Sequence, residues 1–460
     1  MGALSYSQFD DTIVALATPQ GIGAIAVVRL SGPQAISIAN AVFHGKDLSA
    51  VDSHTIHFGT IREGKEVIDE VLMSVFIAPR SFTKENVVEI SCHGSSYIIK
   101  RIINLVVSKG ARLAKPGEFT KRAFLNGQFD LAQAEAVADV ISSDSEAAHQ
   151  AAMSQMRGGF SKDIKQLREQ LIHFASMIEL ELDFGEEDVE FADRHDLAKL
   201  VTDLKTIINQ LIKSFDLGNV IKNGVPTVIA GKPNAGKSTL LNALLKEEKA
   251  IVSDIAGTTR DSIEDEINIE GVAFRFIDTA GIRETTDVIE ALGVERTHSK
   301  MKEASLILYL FDLVNDNITD INKEINKLEN LGKPFIPIGN KIDKAPAGLV
   351  AQLKEDDRFI FISASQQQYL EELKDKILDQ VNLKNIRSSD TIVTNARHFE
   401  SLLKTSQALD DVLTGIGSNA TGDFLALDIR QALHHLGEIT GEVTNDDLLA
   451  NIFSKFCIGK

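Results

Sequence analysis

The chain has 460 residues, and at about 100–200 residues per domain this length predicts two to four domains. Apolar residues make up 43% and charged residues 25%, a composition that excludes wholesale disorder. Lys and Arg number 48 against 66 Asp and Glu, so the net charge is −18, which argues against a general nucleic-acid coat. A local basic patch could still hold nucleic acid. Two cysteines exclude a disulfide framework and fit a reducing compartment.

Nothing in the N-terminal sequence is typical of secretion. No Lys or Arg precedes Arg29, and Asp10 and Asp11 lie where a signal peptide requires positive charge. The longest apolar runs, such as residues 305–311, are far shorter than the about 20 residues of a membrane span. We therefore expect a cytoplasmic protein that makes no use of a membrane.

The first 120 residues predict a mixed α/β region. Residues 24–30 and 71–77 are short β-branched runs between turn residues, and residues 98–107 are apolar at helical spacing, closed by Gly110. From about residue 124 the texture becomes helical, with a stripe formed by Leu131, Ala134, Ala138 and Ile141.

From residue 225 to about 381, short apolar runs alternate with polar helical stretches, which predicts a parallel sheet covered by helices. The runs are 225–230, 306–310, 335–339 and 359–362. Residues 263–277, with Glu270 and Gly271 at the turn, predict an antiparallel hairpin at the sheet edge. After Thr391 the helical texture returns. The predicted domains are residues 1–123 (N-terminal), 124–222 and 383–460 (two parts of a helical domain) and 223–382 (an inserted α/β domain).

Residues 231–238 read GKPNAGKS and match the phosphate-loop pattern G-x-x-x-x-G-K-[ST] between a β-rich run and a helical stretch. The glycines let backbone N–H groups face a phosphate, Lys237 brings positive charge to the β- and γ-phosphates, and the Ser238 hydroxyl can bind Mg²⁺. A glycine-rich turn without a ligand is the plainer alternative.

Three further motifs, each after a β-rich run, favour the phosphate loop. In 278–281 (DTAG) the Asp can hold the Mg²⁺ shell and the Gly N–H can meet the γ-phosphate. In 340–343 (NKID) the Asp343 carboxylate can accept hydrogen bonds from N1–H and the 2-amino group of guanine, and adenine lacks these donors. Residues 363–365 (SAS) would complete the base pocket. The four motifs together predict a GTPase domain.

Residues 257–261 (GTTRD) lie where a mobile loop brings a hydroxyl to Mg²⁺, and Thr259 is favoured over Thr258 for this role. Ile282 follows the DTAG motif where Ras-type enzymes carry a water-orienting Gln. Because Ile cannot form a hydrogen bond, the water must be oriented in another way.

The whole chain resembles the MnmE (TrmE) family of tRNA-modification GTPases. The similarity lies in the Asn234-bearing phosphate loop and in residues 253–261 (SDIAGTTRD), 18–32 (TPQGIGAIAVVRLSG), 116–127 (PGEFTKRAFLNG), 130–136 (DLAQAEA) and 456–460 (FCIGK). The resemblance implies a multidomain fold of α/β and all-α parts, in which a Ras-like P-loop GTPase domain is inserted into a helical domain and preceded by an α/β folate-binding domain.

The resemblance also implies a K⁺-dependent GTPase that is activated when its G domains dimerise. The implied K⁺ ligands are the Asn234 side chain, the Thr258 hydroxyl and the carbonyls of Ser253 and Ile255. Glu290 would orient the attacking water. The predicted catalytic residues are Glu290, Lys237 and Thr259. The predicted GTP-binding residues are Asn234, Ala235, Gly236, Lys237, Ser238, Thr239, Ser253, Asp254, Ile255, Ala256, Gly257, Thr258, Thr259, Asp278, Thr279, Ala280, Gly281, Asn340, Lys341, Asp343, Ser363, Ala364 and Ser365.

The resemblance further implies a tetrahydrofolate derivative, 5-formyl- or methylene-tetrahydrofolate, bound across a homodimer by Arg29, Glu85, Gln128 and Lys460. Gln128 stands where the family often has Lys. With the flavoprotein partner MnmG in a heterotetrameric complex, the family adds an aminomethyl or carboxymethylaminomethyl group to C5 of the wobble uridine of certain tRNAs. The alternatives are a ribosome-assembly GTPase and a regulatory switch without this chemistry; both predict no folate binding.

Five other features have plain structural interpretations, which three of them favour. Residues 21–26 resemble a dinucleotide fingerprint, but no strand is predicted before them and a strand follows where a helix is required. His93 next to Cys92 is too sparse for a zinc site, and Cys457 is as much a packed side chain as a reactive thiol. The acidic run 179–193 is typical of a solvated helix end, whereas the basic stretch 100–122 is an even choice between partner contact and ordinary surface.

Overall fold

The computed structural model describes residues 9–183, 194–249, 265–277, 300–381 and 391–459. The chain forms two compact units: unit 1 contains Met1–Ser142, Ala152–Asn209 and Glu400–Lys460, and unit 2 contains Ser143–Ala151 and Gln210–Phe399. The division into four parts predicted from the sequence is finer than this and stays a prediction.

Unit 1 begins with a seven-stranded sheet in the order β3-β4-β5-β6-β2-β1-β7, antiparallel except for the β1–β7 pair. Successive side chains of a strand point to opposite faces of the sheet, and Val71, Met73 and Val75 of β5 are accordingly buried on one face. The strands are β1 (Ile13–Leu16), β2 (Ile25–Ser31), β3 (Phe43–His44), β4 (Thr55–Glu63), β5 (Glu66–Phe76), β6 (Val87–His93) and β7 (Arg112–Leu113).

Two helices, α1 (Ala35–Asn40) and α2 (Ser96–Ser108), cover the buried face of this sheet. In α2 the buried residues are Ile99, Ile102, Leu105 and Val106, so steps of three, three and one residue keep one apolar stripe toward the strands. The helical region that follows contains α3 (Glu118–Leu125), α4 (Leu131–Ser142), α5 (Glu146–Met156), α6 (Gly159–Asp183) and α7 (Arg194–Asn223).

Unit 2 contains a six-stranded sheet in the order β13-β12-β11-β8-β10-β9, parallel except for the β9–β10 hairpin at one edge. Both faces are covered, so central strand β11 is buried at every position. The strands are β8 (Val225–Gly231), β9 (Asp265–Ile269), β10 (Val272–Phe276), β11 (Leu306–Asp312), β12 (Phe335–Asn340) and β13 (Ile360–Ile362), and the helices are α8 (Lys237–Lys249), α9 (Ile318–Asn330), α10 (Ala347–Leu353) and α11 (Leu370–Gln380).

The remaining helices are α12 (Ala396–Gly417), α13 (Gly422–Thr440) and α14 (Asp446–Ser454). In unit 1, α13 packs along α6, and α14 joins α3 and α4 in an apolar cluster that includes Phe124, Leu131 and Phe453. In the described ranges no helix is at once long enough and apolar enough to cross a bilayer.

The structure confirms the predicted fold class and most of the predicted elements. Strands β2, β5, β8, β11, β12 and β13 and helix α2 lie where the sequence predicts them, and Glu270 and Gly271 form the hairpin turn with φ of +48° and +82°. The prediction that no strand precedes residues 21–26 is wrong, because strand β1 lies before them. The fingerprint is still rejected, since strand β2 follows it instead of a helix.

Candidate functional site

The phosphate loop lies at the carboxyl end of β8 and has a backbone that only certain residues can adopt. Gly231 has φ +144°, and a Cβ there would lie 2.1 Å from the Leu310 carbonyl oxygen of the neighbouring strand. Gly236 has φ +99°, and its Cβ would lie 2.2 Å from Nδ2 of Asn340. The non-glycine residue Asn234 also has a positive φ, +63°. Both glycines are therefore required by the close approach of neighbouring groups.

Lys237 is the first residue of α8, whose N-terminus faces the loop. Its Nζ donates hydrogen bonds to the carbonyl oxygens of Gly231 (2.8 Å) and Lys232 (2.9 Å). Burial lowers the pKa of this ammonium from its ordinary value. Two neutral carbonyls hold the amine inside the loop, where an anion would be a stronger partner than either.

Asn340 connects three of the predicted motifs. Its side chain is 3% exposed; Nδ2 donates to the Ala235 carbonyl (2.8 Å), and Oδ1 accepts from the backbone N–H groups of Lys341 (2.9 Å) and Ala364 (3.0 Å). The phosphate loop, the segment after β12 and the segment after β13 are thereby tied at one point. This amide fixes the relative positions of the three segments that the sequence predicts for phosphate and base recognition.

Lys341 crosses the site from the base motif to the phosphate loop. Its Nζ donates to the Asn234 carbonyl (3.1 Å) and to Oδ2 of Asp312 (2.6 Å). Asp312, at the end of β11, is 5% exposed, and sequence reasoning missed it. Burial alone would raise the pKa of Asp312, yet hydrogen bonds from Lys341 and Asn315 outweigh burial and lower it. A carboxylate directly after an apolar run, one strand from the phosphate loop, is the signal that could have indicated it.

Asp343 lies where the base is expected. The Ser363 hydroxyl donates to its Oδ1 (2.7 Å), and the Ser365 hydroxyl lies 3.4 Å from that of Ser363. Asp343 itself is exposed, whereas Ser363 is buried. One carboxylate oxygen is thus anchored from beneath, which orients the carboxylate for two parallel N–H donors.

Part of the predicted nucleotide and folate sites lies outside the described residues. Ser238 and Thr239 open α8 next to Lys237. The predicted residues outside the description are Ser253, Asp254, Ile255, Ala256, Gly257, Thr258, Thr259, Asp278, Thr279, Ala280, Gly281, Glu290 and Lys460, together with Ile282.

In unit 1, Arg29 joins the sheet to the C-terminal segment. Its Nε donates to Oε1 of Glu89 (2.8 Å), its Nη1 donates to the Gly459 carbonyl (3.3 Å), and its guanidinium lies 5.7 Å from the centre of the Phe119 ring. Gly459 has φ +96°, and a Cβ there would lie 2.2 Å from the Leu16 carbonyl oxygen. Only glycine fits at this point of the tail, and the residue before Lys460 is therefore held at Arg29.

Glu85 belongs to a buried charge cluster. Its Oε2 accepts from the Ser31 hydroxyl (2.6 Å) and its Oε1 from Nη1 of Arg122 (3.0 Å). The Arg122 side chain is fully buried and also pairs with Asp11 (2.6 Å) and Glu118 (3.2 Å). Both carboxylate oxygens of Glu85 are thus fixed by donors of the protein itself.

Gln128 is exposed on a turn that the structure ties to the loop of Glu85. Nδ2 of Asn126 donates to the Thr83 carbonyl (2.7 Å), and Nζ of Lys84 donates to the Gly127 carbonyl (2.7 Å). Gln128 lines an open cavity of about 420 Å³. The other lining residues are His54, Phe76, Pro79, Arg80, Ser81 and Phe82. The structure therefore brings the turn of Gln128 to the loop of Glu85.

The plain structural interpretations of His93 and Cys92 agree with the structure. Nδ1 of His93 lies 2.7 Å from Oδ1 of Asp69, so His93 is a hydrogen-bonded side chain. Burial raises the pKa of the Cys92 thiol to about 11, helped by the Asp69 charge, which keeps it protonated. Cys457 is exposed. In the basic stretch, Arg101, Arg112 and Arg122 are paired with carboxylates of the protein itself.

Two family models match the chain. A model described as the N-terminus of GTP-binding protein TrmE matches residues 12–128, and a model described as the MnmE helical domain matches residues 131–457. The second model covers more than half of the chain.

Curated relatives match over the full length. The chain is 62% identical to the tRNA modification GTPase MnmE of Cytophaga hutchinsonii, with 100% of both chains covered. It is 54% identical to the protein of the same name from Christiangramia forsetii, covering 98% of this chain and 100% of the relative. Among solved structures, translation elongation factor SelB from Methanococcus maripaludis in complex with the GTP analogue GPPNHP is 19% identical over 35% of each chain, with a TM-score of 0.27.

Proposed function

This chain belongs to the MnmE family of tRNA modification GTPases, and from that membership we propose a K⁺-dependent, folate-using form of the reaction. As a family member it is a GTP hydrolase that uses Mg²⁺ and acts in tRNA modification. The observation that carries the nucleotide part is the hydrogen bonding of Asn340 to three motifs at once.

Guanine selectivity rests on Asp343. The anchored carboxylate accepts hydrogen bonds from N1–H and the 2-amino group of guanine, and the Ser363 hydroxyl holds it in the required orientation. Adenine would leave the carboxylate without these two donors, so ATP is rejected by an unpaired charge rather than by size.

Phosphate binding rests on Lys237 and the loop backbone. The ammonium leaves its two carbonyl partners for the β- and γ-phosphate oxygens, and the N-terminus of α8 adds N–H groups toward the same charge. Mg²⁺ would be held by the hydroxyls of Ser238 and Thr259, and it supplies neutralisation of the phosphate charge. The water attacks the γ-phosphorus and the bond to the bridging oxygen breaks, with GDP leaving; Glu290 would orient this water.

A K⁺ site at Asn234 suits the chemistry of the loop. An exposed amide oxygen is the kind of hard ligand that an alkali cation requires. The Asn234 backbone is in the left-handed conformation, and its carbonyl accepts a hydrogen bond from Lys341. Thr258, Ser253 and Ile255 would complete the ligand set. The ion would supply positive charge beside the phosphates, where Ile282 leaves the protein without a Gln.

The N-terminal site would hold a tetrahydrofolate derivative, 5-formyl- or methylene-tetrahydrofolate. Arg29 offers a guanidinium to a carboxylate, Glu85 offers a fixed carboxylate to ring N–H groups, and Gln128 lines the neighbouring cavity. Lys460 would approach Arg29 from the tail that Gly459 holds there. In this proposal the protein acts as a homodimer with the flavoprotein MnmG in a heterotetrameric complex on cytoplasmic tRNA, and adds an aminomethyl or carboxymethylaminomethyl group to C5 of the wobble uridine.

The first experiment is mass spectrometry of tRNA nucleosides from cells that lack this protein. We expect C5-substituted wobble uridines to disappear and to return with the wild type but not with Glu290→Ala. A strain without a redundant enzyme whose nucleosides are unchanged would contradict the proposed pathway, and the switch interpretation would replace it.

A second experiment tests the cation and the base separately. GTP turnover should be much faster in K⁺ than in Na⁺, and Asn234→Ala should remove this difference. Asp343→Asn should lose at least about a hundredfold in GTP affinity and gain affinity for xanthosine triphosphate, whose 2-oxo group accepts the hydrogen bond of the new amide. Equal rates in the two salts would reject the K⁺ site and leave the guanine assignment standing.

A further inference from the structure

Helix α13 carries three side chains whose metal-binding atoms lie close together. The side chains are His434, His435 and Glu438, and their ligand atoms all lie within 4.8 Å of one another. Nε2 of His434 lies 3.6 Å from Oε1 of Glu438, and Nδ1 of His435 lies 3.1 Å from Oε2 of Glu438. Within the described part of the chain, no second group of three His, Cys, Asp or Glu side chains meets so closely.

The sequence spacing explains why these groups meet. Glu438 follows His434 by four residues and His435 by three, and residues at these two spacings are neighbours on a helix surface. The helix beneath them is firmly held: Leu436 and Ile439 are fully buried, and Nη1 of Arg168 donates to the Leu433 carbonyl (2.5 Å). The three side chains therefore project from a fixed backbone, which reduces the entropy lost when an ion orders them.

The separations match those that a tetrahedral ion requires. Zinc binds His nitrogen and carboxylate oxygen at about 2.0–2.2 Å, and two such ligands at the tetrahedral angle lie about 3.3–3.5 Å apart. The two His–Glu separations, 3.1 and 3.6 Å, lie on either side of this value and end on different oxygens of Glu438, and the three ligand atoms as a group lie within 4.8 Å of one another. Two imidazoles and one carboxylate form a donor set that suits Zn²⁺, Ni²⁺, Co²⁺ or Cu²⁺ rather than Mg²⁺ or Ca²⁺.

We propose that His434, His435 and Glu438 form a binding site for a divalent transition-metal ion of the zinc class. The His434 side chain is 52% exposed, so solvent reaches the site and a water completes the fourth position. The ion joins consecutive turns of α13 and stabilises that helix. This site does not depend on the assignments of GTP, K⁺ or folate.

One neighbouring charge tunes the site. Lys404 of α12 pairs with Glu400 (2.9 Å), and the Glu438 charge also contributes to raising the pKa of Lys404 above its ordinary value. An ammonium that interacts with the Glu438 carboxylate repels a dication and competes with it for that carboxylate. Removal of the Lys404 charge is therefore expected to strengthen ion binding.

The experiment is calorimetric titration of Zn²⁺ into the full chain, without nucleotide and with excess Mg²⁺. A Cys457→Ser background removes an exposed thiol that would also bind zinc. We expect one ion per chain. His434→Asn, His435→Asn and Glu438→Gln should each weaken binding at least about tenfold, since even an outer-shell partner is worth about 10–100-fold in metal affinity. His173→Asn, a change at an exposed helical histidine of unit 1, is the matched control and should leave binding unchanged.

Two further measurements test whether the ion binds at His434, His435 and Glu438. Co²⁺ bound at the site should give the strong visible absorption of a tetrahedral complex, and that absorption should be lost in His434→Asn. Lys404→Gln should bind Zn²⁺ more tightly than the parent, a gain that a misfolded variant cannot imitate. Equal zinc affinity in the parent, the three ligand variants and the His173 control would show adventitious surface binding and overturn the proposal.

Discussion

The nucleotide site of unit 2 and the candidate folate site of unit 1 are held together by different kinds of interaction. In unit 2 a single neutral amide, Asn340, ties three loops through backbone groups. In unit 1 a fully buried guanidinium, Arg122, ties Asp11, Glu85 and Glu118. Neutral hydrogen bonds tolerate a ligand of either charge, whereas a buried ion cluster depends on the balance of its own charges. Loss of the central residue should therefore lower the folding stability of unit 1 and the GTP affinity of unit 2.

The largest expected effect is that of Arg122→Met. Removal of the guanidinium leaves Glu85 without its arginine and leaves Asp11 and Glu118 with Arg112 alone. Loss of one member of a buried ion pair costs about 3–5 kcal/mol. Hydrogen exchange followed by mass spectrometry should show faster opening of β1 and β2, with GTP affinity unchanged. Arg101→Met, whose partners Glu63 and Glu66 are exposed, is the control and should change little. Equal exchange in the two variants would contradict the role assigned to the cluster.

Asn340→Ala should have the next largest effect, and it should fall on the other unit. The change leaves the Ala235 carbonyl and the N–H groups of Lys341 and Ala364 without this partner, so we expect a loss of about 2–3 kcal/mol in GTP binding, or roughly 30–150-fold. Fluorescent GTP titration measures it. Asn330→Ala, at the exposed end of α9, should bind GTP normally. A similar affinity in both variants would show that the three loops do not need the amide.

Asp312→Asn tests how far the Lys341–Asp312 ion pair contributes beside the neutral amide of Asn340. Lys341 would keep a hydrogen-bond acceptor but lose the negative partner 2.6 Å from its Nζ, so GTP affinity should fall by about tenfold. Because Lys341 also donates to the Asn234 carbonyl, the half-saturating K⁺ concentration should rise. A loss of affinity for GTP without any change in the K⁺ requirement would separate base binding from the cation site.

The smallest effect is that of acid on unit 1. Burial raises the pKa of Asp11 and Glu118, but hydrogen bonds from Arg112 and Arg122 outweigh burial and lower both values. A carboxyl whose folded pKa lies below its unfolded value contributes stability above about pH 4 and loses that contribution as the pH falls through the folded pKa. The thermal midpoint should therefore fall less with acid in Glu118→Gln than in the wild type, and the exposed Glu169→Gln should follow the wild type.

The two sites were also unequal in what the sequence could predict. The phosphate loop, Asn340 and Asp343 are local patterns, since each lies at the end of one apolar run and its chemistry follows from its neighbours in sequence. Asp312 was missed because its partner Lys341 lies 29 residues away, on a segment that comes near only through the pairing of β11 with β12. Arg122 was counted as part of a basic stretch because its partner Asp11 is 111 residues away.

The turn at Asn126 and Gly127 makes the candidate folate site sensitive to deamidation of Asn126. In an Asn-Gly pair the unhindered glycine nitrogen attacks the side-chain amide most readily, and the succinimide that forms hydrolyses to an acidic residue. In this turn the Gly127 N–H donates to the Phe124 carbonyl (2.9 Å), so that hydrogen bond must open before the attack. Here the Nδ2 that is lost as ammonia is the group that donates to the Thr83 carbonyl. The acid formed would set one acceptor against another, so the turn that carries Gln128 would detach from the loop of Glu85 as the protein ages.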